Sequence, residues 1–290
     1  MSNIKPVTIF GEVLFDCFPG GEQKLGGAPF NVAWHLQALG DAPALISRIG
    51  NDELGDSIQS EMRQWGMNSA LVQHDLQHPT GRVNVTIEDN EPSYEIAEGS
   101  AWDFIATPPP ADLPATGLFY HGSLAARSET SRQTLQKLTE NPDCEIFVDV
   151  NLRPPWWQKE EVYHWLEQAT WVKLNQDELA ELGFRSADLH QDITRMHTHF
   201  HLDQLIVTCG EDGAIVRDNE GEIHLVKPSS STEVVDTVGA GDAFTAMYIH
   251  GLLHEWDIDT ALHRAQAFAS RVVGMRGAIG KDKSLYNINS

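Results

Sequence analysis

The run IFVDV at residues 146–150 decides the fold class, because it is short, almost entirely apolar and free of regular alternation with polar residues. The run QLIVTC at residues 204–209 has the same character. Strands of this kind are covered on both faces, as in a parallel sheet that lies between two layers of helices. The two runs therefore predict such a sheet at the centre of the molecule.

The surrounding sequence extends this pattern, since β-type runs alternate with segments of helical period along most of the 290 residues. The alternation predicts an α/β fold with a central, mostly parallel sheet and helices on both faces, in one domain over residues 1–290. The predicted strands span residues 7–10, 44–49, 117–121, 146–150, 171–174, 204–208 and 214–217. The predicted helices span residues 30–39, 54–65, 131–139, 160–168, 177–182, 240–254 and 260–273.

One segment departs from the alternation of strand and helix. GRVNVTIEDNEPSYEIAE at residues 81–98 has apolar residues at every second position on both sides of a DNEP turn, which predicts a hairpin without a crossover helix. Its apolar residues lie on one face only, so an edge hairpin of the main sheet, a small lid over a site and a dimer face all fit. We expect a β lid formed from about residues 11–25 and 81–105, with a homodimer through that lid left open.

The composition excludes several partners and compartments. The chain has 20 Lys and Arg residues against 42 Asp and Glu residues, a formal net charge of −22. Such a surface repels nucleic-acid phosphates and anionic lipid, so we expect neither a nucleic-acid nor a membrane partner. The three cysteines are far apart, and the N-terminal residues have no secretory leader pattern. These features predict a cytoplasmic protein without disulfides.

Three histidines stand close together in HTHFH at residues 197–201. A spacing of two would align them on a strand, but the surrounding sequence is typical of a helix end followed by a loop. Since no carboxylate-supported triad accompanies them, we expect no structural zinc.

The segment EVVDTVGAGDAFTAMY at residues 233–248 carries the chemistry. A β-type run leads into a Gly-Ala-Gly turn, and an apolar-periodic helix follows. Glycines at 239 and 241 let the backbone turn sharply and leave N–H groups facing outward at a helix N-terminus, an arrangement that binds anions. Asp242 in the first turn would repel such an anion, which is unusual unless its carboxylate handles a proton.

Three simpler interpretations of this segment remain open. Asp242 could be a helix-capping acid, which is its commonest role at such a position. GAGDAF could be a degenerate dinucleotide fingerprint, although Phe244 replaces the third glycine. The segment could also be an ordinary tight turn.

The longer string DTVGAGDAF at residues 236–244 resembles the C-terminal signature of the ribokinase-like carbohydrate kinases, the PfkB family. Other segments similar to those of the family follow in its order along nearly the whole chain. They are LGGAPFNVAWHLQALG at 25–40, RIGNDELG at 48–55, NQDE at 175–178 and TCGEDG at 208–213. GEVLFD at 11–16 and DVNLRPPW at 149–156 resemble bacterial fructokinases in particular.

The resemblance implies a kinase that transfers the γ-phosphoryl group of ATP to a sugar, with the 6-hydroxyl of D-fructose as the acceptor. Asp242 would be the general base, and Gly239, Ala240 and Gly241 would form an anion hole of backbone N–H groups. The positive end of the helix dipole is expected to lower the pKa of Asp242. The chain has no P-loop motif, so the glycine turn would serve instead.

The same resemblance implies that Asp16, Gly26, Gly27, Asn31 and Arg153 bind the sugar. Acids and amides suit a polyol because they offer acceptors and donors at fixed angles. Two alternatives stay open. Asn31 could bond the backbone of its own helix, and Arg153 could be a surface residue before the Pro-Pro turn.

Further residues would bind ATP and cations. Those implied for ATP are Asn175, Thr208, Gly210 and Gly213. Glu178 would hold Mg²⁺ through water, and Asp236 would hold a monovalent cation such as K⁺. The spacing of Asn175 and Glu178 also fits a helix-capping pattern, and TCGEDG also fits a simple turn between strands.

Several functions compete with an ATP-dependent fructokinase. The acceptor could be another sugar, the sugar acid 2-keto-3-deoxygluconate or a nucleoside. A sugar acid would require an extra cation in the pocket, for which Arg153 is the candidate. A sugar-binding regulator without catalysis ranks lower, because Asp242 and the glycine turn are intact.

Overall fold

The computed structural model describes residues 5–88, 91–114, 116–141, 143–228 and 235–287. The strands in this part of the chain are β1 (Val7–Phe10), β2 (Leu14–Cys17), β3 (Gln23–Gly26), β4 (Ala44–Gly50), β5 (Val72–Asp75), β6 (Gly81–Glu88), β7 (Glu91–Ile96), β8 (Gly117–His121), β9 (Cys144–Asp149), β10 (Trp171–Asn175), β11 (Gln204–Thr208), β12 (Ala214–Asp218) and β13 (Ile223–Val226). The helices are α1 (Ala28–Leu39), α2 (Glu53–Trp65), α3 (Glu129–Thr139), α4 (Lys159–Leu166), α5 (Gln176–Glu181), α6 (Leu189–Phe200), α7 (Ala240–Leu253) and α8 (Ile258–Val273).

A nine-stranded sheet forms the centre, in the order β13-β12-β11-β10-β9-β8-β1-β4-β5. The strands from β11 to β5 are parallel, and β12 and β13 are antiparallel additions at one edge. The predicted, mostly parallel sheet is therefore confirmed. The carboxyl ends of its parallel strands meet at one edge, where open α/β sheets bind their ligands.

The sheet separates two apolar cores, and β9 shows how one strand supplies both. Phe147 packs into the core with α1, α2, α7 and α8, whereas Ile146 and Val148 pack into the core with α3 to α6. All three side chains are buried. Because neighbouring residues of a strand face opposite sides, a strand with two covered faces must be apolar throughout.

The structure contains elements that the sequence did not predict, among them β5, β13 and most of α6. The expected helix end in HTHFH is confirmed, since α6 runs to Phe200 and His201 follows it in the left-handed conformation with φ of 54°. Ile193, Met196 and Phe200 recur at helical spacing and are buried, which explains why the helix continues to Phe200.

A second, four-stranded sheet has the order β3-β2-β6-β7 and confirms the predicted small β addition. The predicted hairpin is formed by β6 and β7, and its turn at 89–90 lies outside the described residues. β6 pairs in parallel with β2 and not with the main sheet, which rules out an edge hairpin of that sheet. Val83 and Val85 are buried, whereas Tyr94 is exposed. Across the described residues, no helix is both long and apolar enough to span a membrane.

A buried ion pair connects the end of this second sheet to the main body. Arg127 binds both carboxylate oxygens of Asp103, at 2.7 and 2.8 Å, and the two side chains are 4% and 5% exposed. The guanidinium also donates to the carbonyl oxygen of Ala97, just after β7, at 2.6 Å. Its central carbon, Cζ, lies 4.1 Å from the centroid of the Trp102 ring. The Arg127 side chain thus combines an ion pair, hydrogen bonds and packing against an aromatic ring.

We expect Arg127→Met to lower the free energy of unfolding by about 3–5 kcal/mol, because it leaves the Asp103 carboxylate buried without its partner. Arg132→Met is the matched control, since Arg132 pairs with Glu129 and Glu161 at the surface. Its loss should cost less than about 1 kcal/mol. Urea unfolding of both variants measures the difference, and equal costs would contradict the role given to Arg127.

Candidate functional site

The helices α1 and α7 begin side by side at the carboxyl edge of the main sheet. The amide of Asn31, in the first turn of α1, donates a 2.7 Å hydrogen bond to Oδ2 of Asp242, in the first turn of α7. The side chain of Asn31 therefore does not bond the backbone of its own helix. Asp242 does not cap its helix either, because α7 has Gly239 at its N-cap and no side-chain cap bond. Two side chains 211 residues apart thus form the centre of the site.

The prediction of a lowered pKa for Asp242 was wrong. Burial raises the pKa of this carboxyl from 3.8 to about 6. The hydrogen bond from Asn31 and the charges of Lys173 and Arg153 act in the opposite direction, and the charge of Asp149 adds to the rise. The loss of water outweighs the dipole, so Asp242 is a stronger base than an exposed aspartate.

The predicted glycine turn forms the start of α7. Gly239 has φ of 80°, and a side chain there would collide with Ala278, so only glycine fits. Asp236 fastens this turn, because its carboxylate accepts the N–H groups of Val238 and Gly277, each at 3.0 Å. The first N–H groups of a helix have no acceptor within it and can bind an anion, although the N–H of Ala240 donates to the carbonyl oxygen of Thr237 in this turn at 3.3 Å.

A cavity of about 620 Å³ lies beside the glycine turn. Five residues predicted for the anion hole and the nucleotide line it, namely Thr208, Gly210, Gly213, Ala240 and Gly241. The apolar part of its lining comes from Phe244, Ala269 and Val273. Further polar groups come from Gln266 and Ser270. The structure therefore brings three separate sequence segments to one concave site next to Asp242.

The residues predicted for the sugar gather on the other side of Asp242. A Cβ on Gly26 would lie 3.7 Å from Oδ2 of Asp16 and 3.9 Å from Oδ1 of Asn31, so both polar groups face this glycine. Oδ1 of Asn31 is buried without a partner among the described residues. Gly27 has φ of 107° and lies so close to the carbonyl oxygen of Glu12 that a Cβ would approach it to 2.7 Å. The diglycine thus leaves room beside two polar side chains.

Arg153 is exposed on the loop after β9, and its guanidinium donates to the carbonyl oxygen of Leu152 at 3.0 Å. Its positive charge nevertheless acts against the rise that burial causes in the pKa of Glu12 and of Asp242. The surface alternative for Arg153 accounts for its exposure but not for its effect on these two carboxyls.

Asn175 and Glu178 form a capping box at the start of α5. Oδ1 of Asn175 accepts the N–H groups of Asp177 and Glu178, and Oε2 of Glu178 accepts the N–H of Asn175 at 2.9 Å. Oε1 of Glu178 accepts the N–H of Leu152 at 2.8 Å. The capping alternative is therefore realised. Each carboxylate oxygen of Glu178 keeps a lone pair for a water molecule.

Comparison with known proteins identifies the fold and the family together. A family model described as pfkB family carbohydrate kinase matches residues 18–284. The chain belongs to the pfkB family of carbohydrate kinases. The fructokinase of Salmonella typhimurium is 30% identical over 257 residues, which cover 83% of this kinase and 82% of that relative.

Solved structures share the fold of this carbohydrate kinase at low sequence identity. The fructokinase of Xylella fastidiosa with bound ATP matches it with a TM-score of 0.85 and 21% identity, over 95% of this chain and 94% of the other. A double mutant of the Vibrio cholerae fructokinase, solved with fructose, ADP and potassium ion, has a TM-score of 0.84 and 21% identity, over 99% of both chains. These likenesses establish the ribokinase-like fold of the pfkB kinases.

Two polar residues of this carbohydrate kinase near Asp242 were missed in the sequence. Glu12 follows β1 and is 3% exposed, and its Oε2 has no hydrogen-bond partner in the described part of the chain. Burial raises its pKa from 4.5 to about 7. Tyr120 on β8 is fully buried with a similarly unpartnered hydroxyl, and burial together with the charges of Asp149, Asp242 and Glu12 raises its pKa. An acid inside the apolar run GEVLFD was the available signal for Glu12.

A buried lysine of this kinase was missed as well. Nζ of Lys173, on β10, lies 3.0 Å from both carboxylate oxygens of Asp149, and the hydroxyl of Thr245 donates to Oδ2 of Asp149 at 2.8 Å. Burial alone would lower the pKa of Lys173, but the charges of Asp149 and Glu178 raise it, so the ammonium form is retained. The same Nζ is 3.3 Å from where a Cβ of Gly241 would lie. A lysine inside the strand WVKLN signals such a partner.

We expect Glu12→Gln to stabilise this carbohydrate kinase at pH 8 by up to about 3 kcal/mol, the free energy that corresponds to the rise in pKa from 4.5 to about 7. The pKa of Glu12 in the folded protein lies above its pKa in the unfolded chain. The ionised carboxyl therefore destabilises the fold at pH 8, and this cost disappears as the pH falls through 7 toward 4.5.

Urea unfolding at pH 8 and at pH 5 measures the effect of Glu12→Gln. Glu220→Gln, in the exposed turn after β12, is the matched control. A gain of equal size at both pH values, or an equal gain in the control, would show that the Glu12 carboxyl does not carry this cost.

Proposed function

We propose that this pfkB kinase transfers the γ-phosphoryl group of ATP to the 6-hydroxyl of D-fructose. The observation that carries the proposal is the position of Asp242. Its carboxyl bonds Asn31 on the side of the predicted sugar residues, and its neighbour Gly241 lines the 620 Å³ cavity. The fructokinase names of its relatives, and the neighbour solved with fructose and ADP, support the choice of sugar and nucleotide.

In this mechanism Asp242 accepts the proton of the sugar 6-hydroxyl. The hydroxyl oxygen forms a bond to the γ-phosphorus as the bond between that phosphorus and the bridging oxygen of ADP breaks. The N–H groups of Gly239, Ala240 and Gly241 bind the oxygens on which negative charge collects. The pKa of about 6 keeps Asp242 largely ionised at neutral pH and improves it as a base. The products are fructose 6-phosphate and ADP, with the proton left on Asp242.

The sugar lies between the two sheets in this proposal. Asp16 and Asn31 bond its hydroxyls, Gly26 and Gly27 leave room for the ring, and Arg153 bonds an outer sugar oxygen or a phosphate. Burial raises the pKa of Asp16, as expected for a carboxyl in a pocket. Because β2 and β3 carry Asp16 and Gly26, the small sheet acts as a lid over the sugar. The exposed Tyr94 on this sheet supports a homodimer through the lid.

The remaining predicted residues bind the nucleotide and the cations in this proposal. Those assigned to ATP are Asn175, Thr208, Gly210 and Gly213. Glu178 fits Mg²⁺ through water, since it is a buried carboxylate whose oxygens each accept only one N–H group. When bound, Mg²⁺ neutralises charge on the β- and γ-phosphates. Asp236, whose oxygens likewise keep lone pairs, would hold a monovalent cation such as K⁺ next to the glycine turn.

The charges in the pocket favour a neutral sugar over a sugar acid. Glu12, Asp16 and Asp242 place three carboxyls around the predicted sugar position, and the charge of Arg153 already acts on two of them. A substrate carboxylate would therefore meet more negative than positive charge. This balance supports fructose over 2-keto-3-deoxygluconate. A binding-only role is disfavoured, because such a protein would not need a carboxyl with a raised pKa next to an intact glycine turn.

We expect Asp242→Asn to lower kcat by about 100- to 10,000-fold, since the amide cannot accept the proton of the sugar hydroxyl. Fructose binding should change little, because the amide keeps the size and polarity of the side chain. ADP release from Mg-ATP measures turnover with D-fructose, D-glucose, 2-keto-3-deoxygluconate and adenosine in parallel.

Asp56→Asn is the matched control, since Asp56 is exposed on α2. Unchanged turnover in Asp242→Asn would refute the base. Activity of the natural protein with another acceptor only would refute the choice of fructose. No activity with any acceptor would refute the proposal of an ATP-dependent kinase for these substrates.

We expect kcat/KM for fructose to fall about tenfold per pH unit below pH 6, because Asp242 must be ionised to accept a proton. Asn31→Ala removes the hydrogen bond that lowers the pKa of Asp242, so this acid limb should move to higher pH. Asn68→Ala, at an exposed position, is the control and should leave the limb in place. If the acid limb of the pH profile stays in place in Asn31→Ala, the group that titrates is not Asp242.

A further inference from the structure

A compact cluster of one carboxylate and two imidazoles lies at the opposite ends of α1 and α7 from the site. Oδ2 of Asp41 is 2.7 Å from Nδ1 of His250, and Oδ1 is 3.0 Å from Nε2 of His254. The Asp41 side chain has no exposed surface, and those of His250 and His254 are 6% and 31% exposed. Along the axis of α7, His250 lies about 12 Å and His254 about 18 Å from Asp242, at 1.5 Å per residue.

The backbone holds the three side chains in place. α1 ends at Gly40 with φ of 97°, and the N–H of Asp41 then bonds the carbonyl oxygen of Leu36 at 3.0 Å, which fixes the direction of residue 41. His250 and His254 are four residues apart at the end of α7, so their rings lie on one helix face. The ring centroids are 4.2 Å apart. Trp256 packs edge-on against His250 at 5.1 Å.

The chemistry of this cluster suits a metal ion. A fully buried carboxylate requires a positive charge or several donors, and in the described part of the chain Asp41 forms ion pairs only with these two imidazoles. One ion could replace the two imidazole protons that now face the carboxylate, if each proton moves to the other nitrogen of its ring. The three ligand atoms already lie within 4.8 Å of one another. Ligand bonds of 2.0–2.2 Å require only small side-chain shifts from this geometry.

We propose that Asp41, His250 and His254 bind a divalent transition-metal ion of the Zn²⁺ class. Two imidazoles and one carboxylate match the ligands of zinc, cobalt and nickel, whereas Mg²⁺ and Ca²⁺ prefer oxygen ligands alone. The partly exposed edge of His254 gives the ion access and leaves a fourth position for water. The bound ion ties the end of α1 to the end of α7, the two helices that carry Asn31 and Asp242 at their starts.

The matched variant for this proposal is His254→Gln. Its amide can still donate to Asp41, so the fold is kept, but a neutral amide is a poor ligand for Zn²⁺. His263→Gln on α8 is the control, because His263 is exposed and, among the described residues, bonds only the carbonyl oxygen of Asp259 within its own helix. Comparing the three proteins in EDTA first shows whether either substitution alters folding.

Calorimetric titration with Zn²⁺, Co²⁺ absorption and thermal melting together test the site. We expect one Zn²⁺ per chain, a Co²⁺ spectrum typical of four-coordination, and a melting temperature that rises with Zn²⁺. His254→Gln should bind Zn²⁺ at least about 100-fold more weakly, with no rise in melting temperature, and His263→Gln should match the natural protein.

Two results would overturn the proposal. One is the absence of saturable Zn²⁺ binding by the natural protein, which would leave the cluster as hydrogen bonds alone. The other is Zn²⁺ binding by His254→Gln that is as tight as in the natural protein. The ion would then bind at another group of residues, such as Asp218, Glu222 and His224.

Discussion

The hydrogen bond from Asn31 to Asp242 is the contact on which the site depends. It joins the first turns of α1 and α7, so the geometry of the site depends on how these two helices are placed relative to each other. Both helices begin with a glycine in the left-handed region, Gly27 against the backbone of Glu12 and Gly239 against the loop after α8. Without a Cβ at these two positions the chain segments approach closely enough for the polar side chains of two helix starts to meet.

Burial, and not the helix dipole, sets the electrostatics of this site. A helix N-terminus stabilises a nearby carboxylate by about 1 kcal/mol, whereas the rise in the pKa of Asp242 from 3.8 to about 6 corresponds to about 3 kcal/mol in the opposite direction. Glu12 shows the same effect more strongly, and one of its oxygens is left without a partner in the described structure. Two carboxyls that weaken the fold therefore lie side by side where a polar ligand would satisfy them.

The sequence predicted the central sheet well because its strands are buried on both faces and read as continuous apolar runs. β13 escaped prediction because Ile223–Val226 is a short edge strand, only its last residue is buried, and its pairing with β12 is a tertiary property. The family resemblance pointed to several residues that line the cavity beside the glycine turn, whereas Glu12, Tyr120 and Lys173 were missed. The contacts within the site were not predictable, since the bond between Asn31 and Asp242 and the pKa of Asp242 both depend on packing between distant segments.

The chain of contacts through Asp149 has a consequence for how this protein can vary. Lys173, Asp149 and Thr245 come from β10, β9 and α7, and the hydroxyl oxygen of Thr245 also lies 2.9 Å from the carbonyl oxygen of Gly241 in the glycine turn. Replacing any one of the three leaves a buried charge or acceptor unmatched, so we expect each single substitution to destabilise the fold. The three positions are therefore coupled energetically: we expect the costs of their substitutions not to add, and each substitution to disturb the glycine turn as well.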